Sequence, residues 1–229
     1  MIENLRVFGH ATAVAFADMR AMYTWRTWLF AWTGRVVVQV IFFALIGTLL
    51  DSPATVEFLL IGNVAWAATS ITLLSVPSTT WERRLGTLPL LVSSPSPVFI
   101  TFLGRSVQWI PDALATSLIG LVVAAAAFEV SFPLPQALWA LPVFALVVVT
   151  TYGLGAFLGG VVLRAMDARN TVSNIVMGVM AIVCGVNVPV EFFPGAVQVF
   201  AQIFPLTHGL EAVRSILAVA PAGEVFPDV

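Results

Sequence analysis

Arg35 and Asp112 are charged residues set inside long apolar runs. At the centre of a bilayer such a charge costs about 2.5–3.5 kcal/mol on insertion scales, unless it is paired, hydrated or put to use. Arg35 lies seven residues beyond Trp28, and Asp112 seven beyond Arg105. At 1.5 Å of rise per residue each sits about 10 Å inside its span. Three chemistries fit these positions. Arg35 can snorkel while Asp112 is hydrated beside the Pro111 break, the two can form an intramembrane charge pair, or they can bind the coupling ion of a secondary transporter. Two groups make a thin ion site, and no inverted repeat accompanies them. Other reactive side chains are sparse. Cys184 is the single cysteine, buried in an apolar run, so no disulfide or cysteine metal site can be built. His10 and His208 stand at opposite ends of the chain without a carboxylate cluster, which argues against a metal site. No Ser/His/Asp set, H-E-x-x-H or paired catalytic carboxylate occurs in workable spacing, so the chain is not expected to be an enzyme. It contains no lysine, and a G-x-x-x-x-G-K-[ST] phosphate loop is therefore excluded. Any energy from ATP has to arrive through another polypeptide, and no cofactor is expected on this one.

The elements that position these residues are membrane helices. Apolar residues make up 59% of the 229 and charged residues 10%, with a mean hydropathy of +0.99. Soluble domains carry about 25% charged residues, so the composition is that of an integral membrane protein. No basic tract exists to hold nucleic acid. Residues 1–26 carry Glu3, Arg6, Asp18, Arg20 and Arg26, too many charges for a spanning helix. Leu5, Phe8, Ala15, Met19 and Met22 recur at three- and four-residue spacing and predict an interfacial amphipathic helix. A cleavable signal peptide is not expected. Five spans are predicted, at about 28–50, 58–80, 106–128, 138–163 and 171–188. Tyr23, Trp25, Trp28 and Trp32 mark the first boundary as aromatic residues at a headgroup layer do. Gly155 and Gly159 permit close helix contact in the fourth span. Arg6, Arg20, Arg26, Arg35, Arg83, Arg84, Arg105, Arg164 and Arg169 all fall on one side or its flanks. Only Arg214 falls on the other, with Asp51, Glu57, Glu129 and Glu191, so the N-terminus is expected in the cytoplasm.

One domain, 1–229, is thus expected, with two informative interruptions. The first is the cytoplasmic loop 81–97, Trp81-Glu82-Arg83-Arg84-Leu85-Gly86-Thr87-Leu88 continuing to Ser94-Pro95-Ser96-Pro97. Glu82 to Leu88 can make two helical turns, which Pro89 is expected to end. The second is 188–216, where Pro194 and Pro205 divide an uncharged stretch into pieces of about ten residues, the length of re-entrant or interfacial segments.

The string Glu82-Arg83-Arg84-Leu85-Gly86-Thr87-Leu88 followed by Ser94-Pro95 resembles the first cytoplasmic loop of type-2 ABC transporter permeases. Pro89 stands where that family more often has an acidic residue. Pro189, Phe193-Pro194, Pro205-Leu206-Thr207, Gly209, Glu211-Ala212 and Arg214 resemble the same family's outer pair of short helices before its last span. The resemblance implies an all-α permease subunit of an ABC exporter, without its own ATPase site. It implies a coupling helix in which Glu82, Arg83, Gly86, Thr87 and Leu88 meet a partner ATPase present in two copies, which binds ATP and Mg. It also implies a second permease subunit, identical or related, and a bacterial inner-membrane location. The expected cargo is a hydrophobic or amphiphilic compound, a drug or lipid-like molecule, with efflux and antibiotic resistance as the setting. A lipid-linked glycan is the alternative cargo, and a secondary transporter using Arg35 and Asp112 the alternative mechanism. Phe192, Phe193 and Phe204 are expected to line or cap the outer exit. The family normally has a sixth span, whereas 215–229 offers only about eight apolar residues before Pro221, too few to cross. Either the chain is truncated or it stops outside.

Overall fold

Ser52 opens the helix around which the others are arranged. Its hydroxyl accepts the Thr55 amide at 3.2 Å, and Pro53 takes the first helical position, where no amide is needed. A computed structural model describes residues 2–78, 86, 88–93, 97–163, 167 and 169–219. In it α1 runs Ile2–Met22, α2 Thr27–Leu49 and α3 Pro53–Ser78. Next come α4, Leu88–Ser93, then α5, Val98–Ala127, α6, Leu134–Val162, and α7, Arg169–Val183. A single 3-10 turn, Val190–Phe192, leads to α8, Gly195–Ala201, and α9, Pro205–Ile216.

Of the most apolar stretch of α3, 83% is buried, against 22% for α2, 33% for α5 and 28% for α6. The central helix is apolar on every face because protein covers every face. Around it α2, α5, α6 and α9 pack, and the remaining apolar surface of the outer helices points away from the core. Close approach depends on missing side chains: a Cβ on Gly47 of α2 would lie 2.7 Å from the Val56 Cα of α3, and one on Gly155 of α6 would collide with Ser75. Gly155 therefore does what its sequence context predicts.

Among the described residues four helices are long and apolar enough to cross a membrane. The stretch predicted as a fifth span is helical only over the 15 residues of α7, about 22 Å. It ends before Gly185, whose φ of +79° turns the chain into the bends that follow. The third predicted span begins earlier than expected, because α5 is in two parts. Val98–Ser106 and Trp109–Ala127 are separated by a turn at Val107 and Gln108. Pro111 sits in the first turn of the second part, where a missing amide costs nothing. The carbonyl of Leu103, beside the break, accepts the Tyr152 hydroxyl of α6 at 2.6 Å.

α1 packs along Val98–Ser106 with Ala11 and Ala15 buried, and Ala11 comes close to Gly104. Leu5 and Met22, expected on the same apolar face, are 66% and 53% exposed. The helix thus has one seam against protein and separate apolar residues left outside it. Arg105 joins α5 to α1 by an ion pair with Asp18 at 3.0 Å.

Candidate functional site

At the N-terminal end of α2 the first turns are wider than α-helical: Thr27–Thr33 is a π-helix, a form often found where a helix serves a site. Trp28 and Trp32, four residues apart, both turn their indoles to α5. Trp28 Nε1 donates to Asp112 Oδ1 at 2.6 Å and Trp32 Nε1 to Oδ2 at 2.9 Å. Asp112 is only 4% exposed, and it lies in the first turn of Trp109–Ala127. The charge pair expected between Arg35 and Asp112 is not the contact made, and that reading is corrected. Arg35 is exposed and rests its guanidinium 5.2 Å from the centre of the Trp32 ring. The indoles win because they approach from the boundary turn itself, while Arg35, on the next turn, keeps its charge outside. Tyr23, Trp32 and Trp109 form an aromatic row, with ring centres 5.6 and 6.3 Å apart, and Trp109 Nε1 donates to Ser78 Oγ at 2.7 Å.

Of the five coupling-loop residues, Glu82, Arg83 and Thr87 lie outside the described residues. Gly86 is exposed, with a φ of +74° that interrupts any helix there. Leu88 opens α4 and is half-buried, and Pro89 stands in the first turn of that helix. The two turns expected from Glu82 to Leu88, which Pro89 was to end, fall mostly outside the described residues.

In the 188–216 segment the three phenylalanines part company. Phe204 is 9% exposed and belongs to the core, edge-on to Phe200 at 5.3 Å. Phe192 is exposed and Phe193 half-buried. The chain's bend after α7 is held by Arg214 of α9. Its Nη1 donates to the Gly185 carbonyl at 2.7 Å, and its Nη2 to the carbonyls of Phe58 at 3.0 Å and Val186 at 3.3 Å. Its guanidinium also stacks 3.5 Å from the Phe58 ring centre. Asn63 of α3 donates to Asn187 Oδ1 at 2.9 Å, a second tie to the same bend. The bonds to Gly185 and Val186 satisfy carbonyls that no helix satisfies, and those to Phe58 and Asn187 tie the bend to α3.

A family model, ABC-2 type transporter, matches residues 15–218. The chain belongs to this family. No curated protein and no solved structure matches it. The ABC-2 membrane domain is a transmembrane permease, not an ATPase, and in this family it works with an ABC ATPase partner. The matched range takes in both the 81–97 loop and the 188–216 segment on which the resemblance rested. In this ABC-2 permease, a multi-pass membrane protein, sequence reasoning missed Trp28 and Trp32 as ligands of Asp112. Their four-residue spacing beside a boundary was the available signal. It also missed Asp18–Arg105 and the carbonyl contacts of Arg214, for which no local pattern exists.

Proposed function

We propose that this ABC-2 permease is the membrane subunit of an ATP-driven exporter that moves a hydrophobic or amphiphilic compound, a drug or lipid-like molecule, outward. The observation that carries the reading is the family match over 15–218, which includes the loop that in such permeases meets the ATPase. Two permease subunits, identical or related, would work with two ATPase subunits that bind ATP and Mg. The 81–97 loop would face the cytoplasm of a bacterial cell with its inner membrane around the bundle, and antibiotic efflux is the natural setting. α7 and the bend after it would act as a fifth span, with α8 and α9 re-entering from outside. Phe192 and Phe193, at the surface of that segment, would border the exit. Aromatic and polar side chains lining cavities where α1, α2 and α5 meet support an amphiphilic cargo.

Coupling would run through Glu82, Arg83, Gly86, Thr87 and Leu88. The test is the full-length permease purified with its ATPase and reconstituted in vesicles. Glu82→Ala should leave insertion and complex formation intact and lower ATP-dependent export by about tenfold or more, since a charged contact removed from an interface costs about 2 kcal/mol. Export at the unaltered rate would take the loop out of the mechanism. Failure of any ATPase to co-elute with the permease would overturn the whole reading.

A further inference from the structure

We infer that this ABC-2 permease carries, at the boundary where α1, α2 and α5 meet, a binding site for an alkylammonium head: a quaternary or protonated amine borne on an apolar tail. Two cavities adjoin there, of about 380 and 510 Å³, and both are walled by Tyr23 and Gln108. The first is lined further by Trp25, Trp28 and Asp112, the second by Trp32 and Trp109. Between them Gln108 is 5% exposed and its Oε1 meets no donor. A buried amide oxygen without a donor is rare, and the residue that carries it lines both cavities.

The chemistry of the lining selects a cation. Its deep charged group, the Asp112 carboxylate, accepts and does not donate, and its oxygens keep lone pairs beyond those taken by the two indoles, while Gln108 adds an unpaired acceptor oxygen beside its amide donors. Aromatic faces carry negative potential and attract ammonium groups, most strongly where water is excluded. Arg26 and Arg35 already lie over the Trp25 and Trp32 rings, at 5.3 and 5.2 Å, so the faces left to a head are those of Tyr23, Trp28 and Trp109. Arg105 is engaged by Asp18 at 3.0 Å, and Arg20 is an exposed residue at the rim. Phe16 and Met19 offer the tail an apolar wall. The level is that of headgroups at Trp28, in the opening turn of its spanning stretch, and Trp28 holds Asp112 beside it. The volumes fall within the range of small-molecule sites, about 300–1,000 Å³. The site deepens the exporter reading by giving the cargo a charged end, and rests on that reading only for the ligand's being exported.

The test is equilibrium binding of radiolabelled dodecyltrimethylammonium, below its micellar concentration, to the full-length permease in phosphatidylglycerol nanodiscs, corrected with empty discs. Saturable binding is expected, with dodecyl sulfate and dodecanol failing to compete. Asp112→Asn should weaken it by about tenfold, while Gln108→Glu, which adds a second carboxylate, should tighten it by a few fold. Asp51→Asn, far from the site on the opposite side, should leave it unchanged. The Gln108→Glu arm keeps the proposal exposed even where Asp112→Asn fails to fold. Competition by dodecanol, or wild-type affinity in both site variants, overturns it. Discs of phosphatidylcholine separate the two sources of such a head: reduced occupancy there upholds the site as one for a lipid choline, and unchanged occupancy as one for a free amphiphile. Binding is read without ATP, so its failure leaves the exporter reading standing, and failure of the Glu82→Ala test leaves this site standing.

Discussion

Asp112 illustrates how a membrane protein can keep a carboxylate inside without a cation. Two indole N–H groups reach it from one helix, and each hydrogen bond to a charged group contributes about 1.5–3 kcal/mol where water is scarce. Trp28→Phe and Trp32→Phe keep the rings and remove only the donors. Each is expected to lower stability by about 1–3 kcal/mol, read from unfolding of the purified protein in detergent. Combining Trp28→Phe with Asp112→Asn should cost clearly less than the sum of the two, because they break one contact. Arg35→Ala is a control with a different expectation: its loss is that of an exposed cation on a ring, about 0.5–1 kcal/mol. With Asp112→Asn it should add to within about 0.5 kcal/mol. A coupling well above that would reinstate the charge pair between the first and third spans.

At the scale of elements, the decisive joint is where α7 ends. The carbonyls of Gly185 and Val186 have left the helix and need donors, and Arg214 supplies them from α9 while also reaching Phe58 of α3. One guanidinium thereby fastens three segments. A lysine ammonium has neither the planar fork nor the span to serve all three carbonyls. Arg214→Lys is accordingly expected to lower stability by about 2–4 kcal/mol, with α8 and α9 cleaved first in limited proteolysis. Unaltered protection of that segment would show that apolar packing of Leu206 and Leu210, both buried, holds it alone. The Asp18–Arg105 pair between α1 and α5 makes a useful contrast. Asp18 is 53% exposed, so Asp18→Ala should cost no more than about 1 kcal/mol in the same measurement.

For the whole molecule, the arginine placement would orient the bundle with its N-terminus inside and the α8–α9 segment outside. Val199 on α8 is 72% exposed, and Cys184, the one native thiol, is buried. A Val199→Cys variant in intact cells should react with a membrane-impermeant maleimide from the outer side, while the parent protein stays unlabelled. Reaction from the cytoplasmic side alone would invert the topology. The central position of α3 makes it the axis of the same bundle.

Much of this architecture follows from sequence because the bilayer imposes a local rule. Apolar length alone marks spans at 28–50 and 58–80, Pro194 and Pro205 alone divide the 188–216 segment, and the family is legible in the strings around Glu82 and Pro205. What tertiary structure decided are the partnerships between distant residues. Trp28 with Asp112 and Arg214 with Phe58 are separated by 84 and 156 positions, and no periodicity connects them. It also decided that Pro89 stands in the first turn of a helix, that α5 breaks at Val107 and Gln108, and that Phe204 is core. The physical reason is common to all. Hydrophobicity sorts residues into or out of the membrane one segment at a time, whereas a buried polar group settles on whichever donor the packed bundle brings within 3 Å.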